Sequence, residues 1–329
     1  MSSVVAEPIK TTIKNNTNND RNVMKILIFG KGYIGQRCAD AWQEKGHETI
    51  VSPVRVTVVH DALNEIKQHK PDVVFNAAGV TGKPNVDWCE DHQIETIEGN
   101  TNLPIYLAAA CQQTGVYLLH IGSGCVFYDE SPHPDKKWRE SDHANPRVVY
   151  SRSKYAADLV LSTLPNVGIG RIRMPIDWMP SSRNLIVKLA NYPSIIDVEN
   201  SGTVIEDMIE VFLQLMEKRA EGIFHVTNPG SIKHRETMEM YKEYVDPEWS
   251  CEWIDNEELV KRGLAKKGRS NNELTSDRLT ELGITMRPIK EAMRDTMQKY
   301  AQAKKIQVRD GDENRDQCCD GGCGGCTCS

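Results

Sequence analysis

Tyr150-Ser151-Arg152-Ser153-Lys154 sets a phenol and an ammonium four residues apart, a spacing that puts both on one face of a helix. A phenol with an ordinary pKa of about 10 is a poor acid–base catalyst near neutrality, and a neighbouring ammonium lowers it. Such a pair can protonate a carbonyl oxygen while hydride arrives at carbon, and the lysine is also placed to hold a cofactor ribose. A hydroxyl that fixes the same carbonyl is expected at the end of the preceding strand. Ser123, in Gly122-Ser123-Gly124-Cys125-Val126-Phe127, stands there. The reductive set read from the sequence is therefore Ser123, Tyr150 and Lys154.

Gly30-Lys31-Gly32-Tyr33-Ile34-Gly35 supplies the place for a dinucleotide. It follows an apolar run and opens a helix, the context in which a G-x-G-x-x-G pattern carries meaning. Gly30, Gly32 and Gly35 permit a tight turn and close backbone approach to a pyrophosphate, with Tyr33 and Ile34 opening the helix. The helix N-terminus contributes oriented N–H groups and partial positive charge. NAD enzymes place an acid at the end of the second strand, and NADP enzymes place a cation there. Val51-Ser52-Pro53-Val54-Arg55 has no acid and one arginine, so Arg55 favours NADPH over NADH.

Elements able to position these residues follow in order. Val23 to Phe29 reads as a buried parallel strand, and Gly35 to Lys45 as a helix closed by Gly46. His47 to Val51, Pro71 to Asn76, Val116 to Ile121 and Val167 to Arg173 read as further strands. Ser194 to Val198 and Gly222 to Val226 are strand-like too. Helices are expected at Asp61–His69, Pro104–Gln113, Tyr150–Leu164 and Thr203–Arg219. This alternation predicts an α/β fold: a Rossmann-like doubly wound parallel sheet with a smaller C-terminal substrate-binding lobe. The expected division is a disordered N-terminal tail over 1–22, then a cofactor-binding domain over 23–226 with a lobe insertion at about 175–193. The lobe covers 227–304, and a disordered Cys/Gly-rich tail covers 305–329.

Composition excludes several function classes. The 329 residues are 39% hydrophobic and 26% charged, enough for a large core. A net charge of −6 with mixed signs advertises no nucleic-acid surface. No apolar run approaches the roughly 20 residues of a membrane span, and no secretory signal opens the chain, so the expected address is cytoplasmic. Five of the ten cysteines crowd the last twelve residues, CCDGGCGGCTCS. Their spacing suits a soft metal, but glycine-rich sequence offers no core to fix a geometry, so a disordered appendage is expected. His120 and His225 lie in apolar strands without ligand-spaced partners and read as core histidines; no metal is expected.

Asn76-Ala77-Ala78-Gly79-Val80-Thr81-Gly82-Lys83-Pro84-Asn85-Val86-Asp87-Trp88-Cys89-Glu90 closely resembles a signature of the bifunctional nucleotide-rhamnose synthase family. Members are 4-keto-6-deoxyglucose 3,5-epimerase/4-reductases, known from the C-terminal part of plant rhamnose synthases. Arg173-Met174-Pro175-Ile176, Arg183-Asn184-Leu185-Ile186-Val187-Lys188, Thr227-Asn228-Pro229-Gly230, Glu239-Met240-Tyr241 and Arg269-Ser270-Asn271-Asn272-Glu273-Leu274 extend the resemblance over about 24–300.

The resemblance implies a UDP- or dTDP-4-keto-6-deoxy sugar as substrate, inverted at carbons 3 and 5 and then reduced at carbon 4. It assigns the inversions to Cys125 and Lys188, and related GDP-fucose synthases use a cysteine at the same offset. It places Asn76, Ala77 and Ala78 by the cofactor, Val80, Thr81, Asn85, Arg183 and Asn184 by the sugar nucleotide, and Arg269 and Asn272 by its diphosphate or base.

Two departures stand out. Plant members usually carry G-x-x-G-x-x-G, and they have threonine where Ser123 stands. Two other readings compete: a 4-reductase working with a separate epimerase, and a non-catalytic subunit resembling the regulatory beta subunit of methionine adenosyltransferase. Relatives are commonly homodimers, so a second copy of the chain is a candidate partner.

Overall fold

Strand β1, Lys25–Phe29, shows how the sheet is buried. Successive side chains of a strand face opposite ways. Ile26 and Ile28 enter one apolar cluster, and Leu27 and Phe29 enter another on the opposite face. Each such side chain removed from water contributes roughly 1.5–3 kcal/mol. A strand apolar on both faces is stable only between two helical layers, and the chain supplies both.

The computed structural model describes residues 23–83 and 85–320, with side chains described to Ile306. The expected N-terminal tail, Pro84 and residues 321–329 of the cysteine-rich end lie outside the described residues. Five further strands join β1: β2 Glu48–Ser52, β3 Val73–Asn76, β4 Tyr117–Ser123, β5 Val167–Ile172 and β6 Gly222–His225. All pair in parallel, in the order β6-β5-β4-β3-β1-β2. The order reverses between β1 and β3, and ligands bind beyond the carboxyl ends of the strands at such a switch point.

Helix α1, Tyr33–Glu44, and a later helix, Ile205–Glu217, cover one face through Trp42, Met208 and Phe212. Helices α2 Val59–His69, α3 Leu103–Thr114 and α4 Val149–Leu161 cover the other through Ile66, Leu107 and Ala157. Among the described residues, no helix is long and apolar enough to cross a membrane.

Ser194–Ile196 is a strand, yet it stays outside the main sheet and pairs in parallel with Glu252–Ile254. A third apolar cluster forms here. Helix α5, Leu185–Asn191, contributes Ile186 and Leu189; α6, His234–Tyr244, contributes Met238 and Tyr241; and α7, Ile289–Asp320, contributes Met293 and Met297. The segment beyond Thr227 is not confined to this cluster. Leu279 and Ile284 return to the main core, and Glu273–Leu274 pairs with Lys137–Trp138. At its end, α7 runs on to Asp320, past the point where a structureless tail is expected to begin. Residues 305–316 hold no proline, so nothing removes a backbone donor from that continuation, although Gly311 and three aspartates are weak helix formers.

Candidate active site

Gly32, Ala77, Ala78, Ser123 and Arg173, from the carboxyl ends of β1, β3, β4 and β5, line a cavity of about 730 Å³. Lys188 and Leu189 of α5, His234 of α6 and the 268–271 segment line it as well. Its size falls within the roughly 300–1,000 Å³ of small-molecule sites.

The glycine loop fits a dinucleotide phosphate. Gly30 adopts a φ of +101°, and a Cβ there would collide with the backbone of Ala77 and Ala78. A Cβ on Gly35 would strike the Gly30 carbonyl oxygen. Those two glycines close the turn. Gly32 differs: a Cβ on it would meet nothing within 4 Å. Its bare backbone faces open space on the cavity wall, where a phosphate can approach. The N-terminus of α1 has no side-chain cap and no acidic residue in its first turn, so its N–H groups remain available to an anion.

Tyr33 Oη donates to Asp177 Oδ2 at 2.7 Å, and Arg37 Nε donates to the same oxygen at 2.7 Å. The loop is thus tied to the segment that leads into α5. Burial and the neighbouring Asp177 carboxylate push the Tyr33 phenol up. Asn76 Oδ1 accepts from Ala78 N at 3.0 Å, and its Nδ2 meets His120 Nδ1 at 2.9 Å, holding the turn after β3. Ile34 lines the cavity beside Tyr33. Arg55 is exposed, beyond the end of β2, and does not line the cavity.

The three reductive residues converge. Ser123 ends β4 with 4% exposure, and its Oγ accepts from Cys125 N at 3.2 Å. Its own proton points to Tyr150, the other group on this wall of the cavity. Lys154 Nζ donates to the Ile121 carbonyl at 3.0 Å, and burial pulls its pKa down to about 8. Tyr150 is pushed up, by burial first and by Cys125 next, with its hydrogen bond to Ser123 opposing. The lowering expected from the ammonium is absent because burial dominates. The phenol remains protonated at neutral pH, the form a proton donor needs. Behind Lys154, the fully buried pair Asp158–Arg171 bonds at 2.8 Å, and its carboxylate favours the lysine's charge. His225 is a core histidine: Nδ1 meets the Thr275 carbonyl at 2.9 Å and burial drives its pKa down to about 3.

Residues attributed to the substrate divide into two groups. Val80, Thr81, Asn85, Arg183, Lys188 and Arg269 line the cavity with Cys125. Lys188 is half-buried there, and burial lowers its pKa, with Arg183 adding to the effect. Arg269 is held by Asp87 through two bonds of 2.8 and 2.9 Å. Asn184 and the amide nitrogen of Asn272 are otherwise occupied. Asn184 caps α5 through Ile186 N and donates to the Asp177 and Met179 carbonyls. Asn272 donates to the Phe127 carbonyl at 2.7 Å and to Ser270 Oγ at 2.9 Å. Neither lines the cavity.

Residues 24–302 match the family model described as RmlD substrate binding domain. The chain belongs to that family. A bifunctional dTDP-4-dehydrorhamnose 3,5-epimerase/dTDP-4-dehydrorhamnose reductase of Arabidopsis thaliana is 35% identical over 274 residues, covering 82% of this chain and 90% of that protein. The trifunctional enzyme RHM2 of the same plant, a UDP-glucose 4,6-dehydratase with epimerase and reductase activities, is 33% identical over 288 residues. That match covers 86% of this chain but only 43% of the longer protein. Among solved structures, the L780 UDP-rhamnose synthase of Acanthamoeba polyphaga mimivirus superposes with a TM-score of 0.79 at 29% identity, covering 84% of this chain and 99% of that one. A dTDP-4-dehydrorhamnose reductase from Bacillus anthracis in complex with NADP shares the fold at a TM-score of 0.73 and 19% identity, covering 83% and 98%.

For this family member, sequence reasoning left two cavity groups without a role. Arg173 is 1% exposed, one residue past β5. The available signal was Arg171 and Arg173 at alternate positions in an otherwise apolar strand. His234 is buried, with Nδ1 against the Ile196 carbonyl at 2.9 Å and Nε2 without a partner among the described residues. No local pattern marks it.

Proposed function

We propose that this protein makes a nucleotide-linked L-rhamnose from UDP- or dTDP-4-keto-6-deoxy-D-glucose by 3,5-epimerisation and NADPH-dependent 4-reduction. The observation that carries the reading is the convergence of Ser123, Tyr150, Lys154, Cys125 and Lys188 on one cavity at the sheet's switch point.

A 4-ketone acidifies the hydrogens on carbons 3 and 5. Cys125, as thiolate, takes such a proton: the C–H bond breaks, an S–H bond forms, and the electron pair moves to the ketone oxygen as an enolate. Ser123 and Tyr150 donate hydrogen bonds to that oxygen. Lys188, as ammonium, returns a proton to the opposite face of the carbon, inverting it. Both groups then reset by exchange with water. Val80, Thr81, Asn85 and Arg183 flank the sugar nucleotide, and Arg269 serves its phosphates.

The residues around Gly32 and α1 would hold the dinucleotide, with Asn76, Ala77 and Ala78 beneath it and Arg55 toward its adenosine end. When bound, the nicotinamide supplies hydride to carbon 4. Tyr150 gives its phenolic proton to the ketone oxygen, Ser123 keeps that oxygen in place, and Lys154 supports the phenol and the cofactor ribose. The experiment is to follow NADPH absorbance with the keto-sugar nucleotide. Oxidation stoichiometric with rhamnose product supports the proposal, and no oxidation with or without an added epimerase rejects it.

A further inference from the structure

Arg173 presents an imbalance of charge. Its guanidinium is 1% exposed, and among the described residues no carboxylate lies within ion-pair distance of it. The buried Arg171 beside it has Asp158, and the cavity's Arg269 has Asp87. A buried cation is costly unless an anion compensates it. Four bonds orient the group: to Ser270 Oγ at 3.1 Å, to the Ser270 carbonyl at 2.6 Å, to Asn200 Oδ1 and to Cys125 Sγ at 3.4 Å. Three of these acceptors are neutral oxygens. Only the sulfur can become an anion. Nε has no partner.

We infer that Arg173 is the positioning residue of the epimerisation step, the fixed counter-charge that holds Cys125 as a thiolate aimed at the substrate carbon. The inference rests on the reading of Cys125 as the epimerisation base. Three titratable groups face the sulfur: Tyr150 from α4, Tyr128 from the loop after β4, and Arg173 from the end of β5. Both tyrosines are pushed up and stay neutral, so among the described residues Arg173 supplies the cationic charge in direct contact. Arg269 stands behind Tyr128, already neutralised by Asp87. When the thiolate takes the proton from carbon, the guanidinium keeps its charge and its bonds to Ser270, so the sulfur is held in place through both states. Met174, the next residue, has a φ of +45°, which an L side chain rarely adopts. The turn that delivers Arg173 to the cavity is built against a local backbone preference.

The test uses the full-length protein with Arg173→Met and Arg173→Gln, the second keeping hydrogen-bonding capacity without charge. Iodoacetamide alkylation of Cys125 is followed peptide by peptide across pH, because only the thiolate reacts. The expected result is alkylation at pH 7 slowed about tenfold in either variant, with the profile displaced to higher pH, and a milder effect in Arg173→Lys. Deuterium exchange at carbons 3 and 5 falls by about the same factor, while NADPH oxidation with the already epimerised 4-keto-rhamnose nucleotide changes less than about threefold. Alkylation unchanged across pH in whichever variant folds overturns the inference. So does loss of UDP affinity with alkylation intact, which would assign the guanidinium to the diphosphate. A parent protein without exchange at carbons 3 and 5 would reject the epimerase reading, while the alkylation profile would still decide the Arg173–Cys125 pairing.

Discussion

Lys154 Nζ donates a 3.0 Å hydrogen bond to the carbonyl of Ile121, two residues before Ser123 on the same strand. A helix residue thus fixes the strand end that carries the Ser123 hydroxyl. Burial of the ammonium brings its pKa down to about 8, against the pull of Asp158.

That value predicts opposite trends for activity and stability. Below pH 8 the lysine is charged in both folded and unfolded chains, and burial penalises the folded state. Between about 8 and 10.4 the unfolded chain binds the proton and the folded one sheds it, so this residue's contribution to stability improves as pH rises. Activity moves the other way because the ammonium is the working form. kcat/KM for NADPH should fall above pH 8, and Lys154→Met should remove that limb along with most of the rate.

Tyr150→Phe weighs on the reduction more than on the epimerisation. The phenol is held protonated, and its loss should lower the NADPH oxidation rate by about 10²–10⁴-fold. NADPH affinity, read by fluorescence titration, should change little. Solvent exchange at carbons 3 and 5 should fall less than reduction does, since Ser123 still bonds the enolate oxygen and Cys125 and Lys188 remain.

Asp177 joins the glycine loop to the segment leading into α5 through Tyr33 and Arg37. Asp177→Ala strands a mostly buried guanidinium, at a cost of about 2–3 kcal/mol. The melting temperature should drop by about 5 °C, and NADPH affinity should fall with it because Tyr33 loses its anchor. An unchanged melting curve would argue against the tie.

The sheet and the glycine loop were legible because their signals are local. Buried parallel strands read as continuous apolar runs, and Gly30, Gly32 and Gly35 follow the first of them directly. Convergence of Ser123, Tyr150 and Lys154 was legible for the same reason, as strand end and helix start are fixed by short-range pattern. Other features depend on partners distant in sequence. Asn184 and Asn272 carry the right chemistry for ligand binding, yet a cap and a set of loop carbonyls claim them. The rise in the Tyr150 phenol reflects burial by the assembled fold, which a four-residue spacing does not encode. Ser194–Ile196 has a strand's composition, but its pairing with Glu252–Ile254 is a tertiary choice.

The most direct measurement incubates the pure protein with the 4-keto-6-deoxyglucose nucleotide and NADPH in deuterated water. The expected product is a nucleotide-linked L-rhamnose carrying deuterium at carbons 3 and 5, with Cys125→Ala abolishing the label but still reducing the already epimerised substrate. No turnover until a separate epimerase is added would contradict the account and leave a 4-reductase alone.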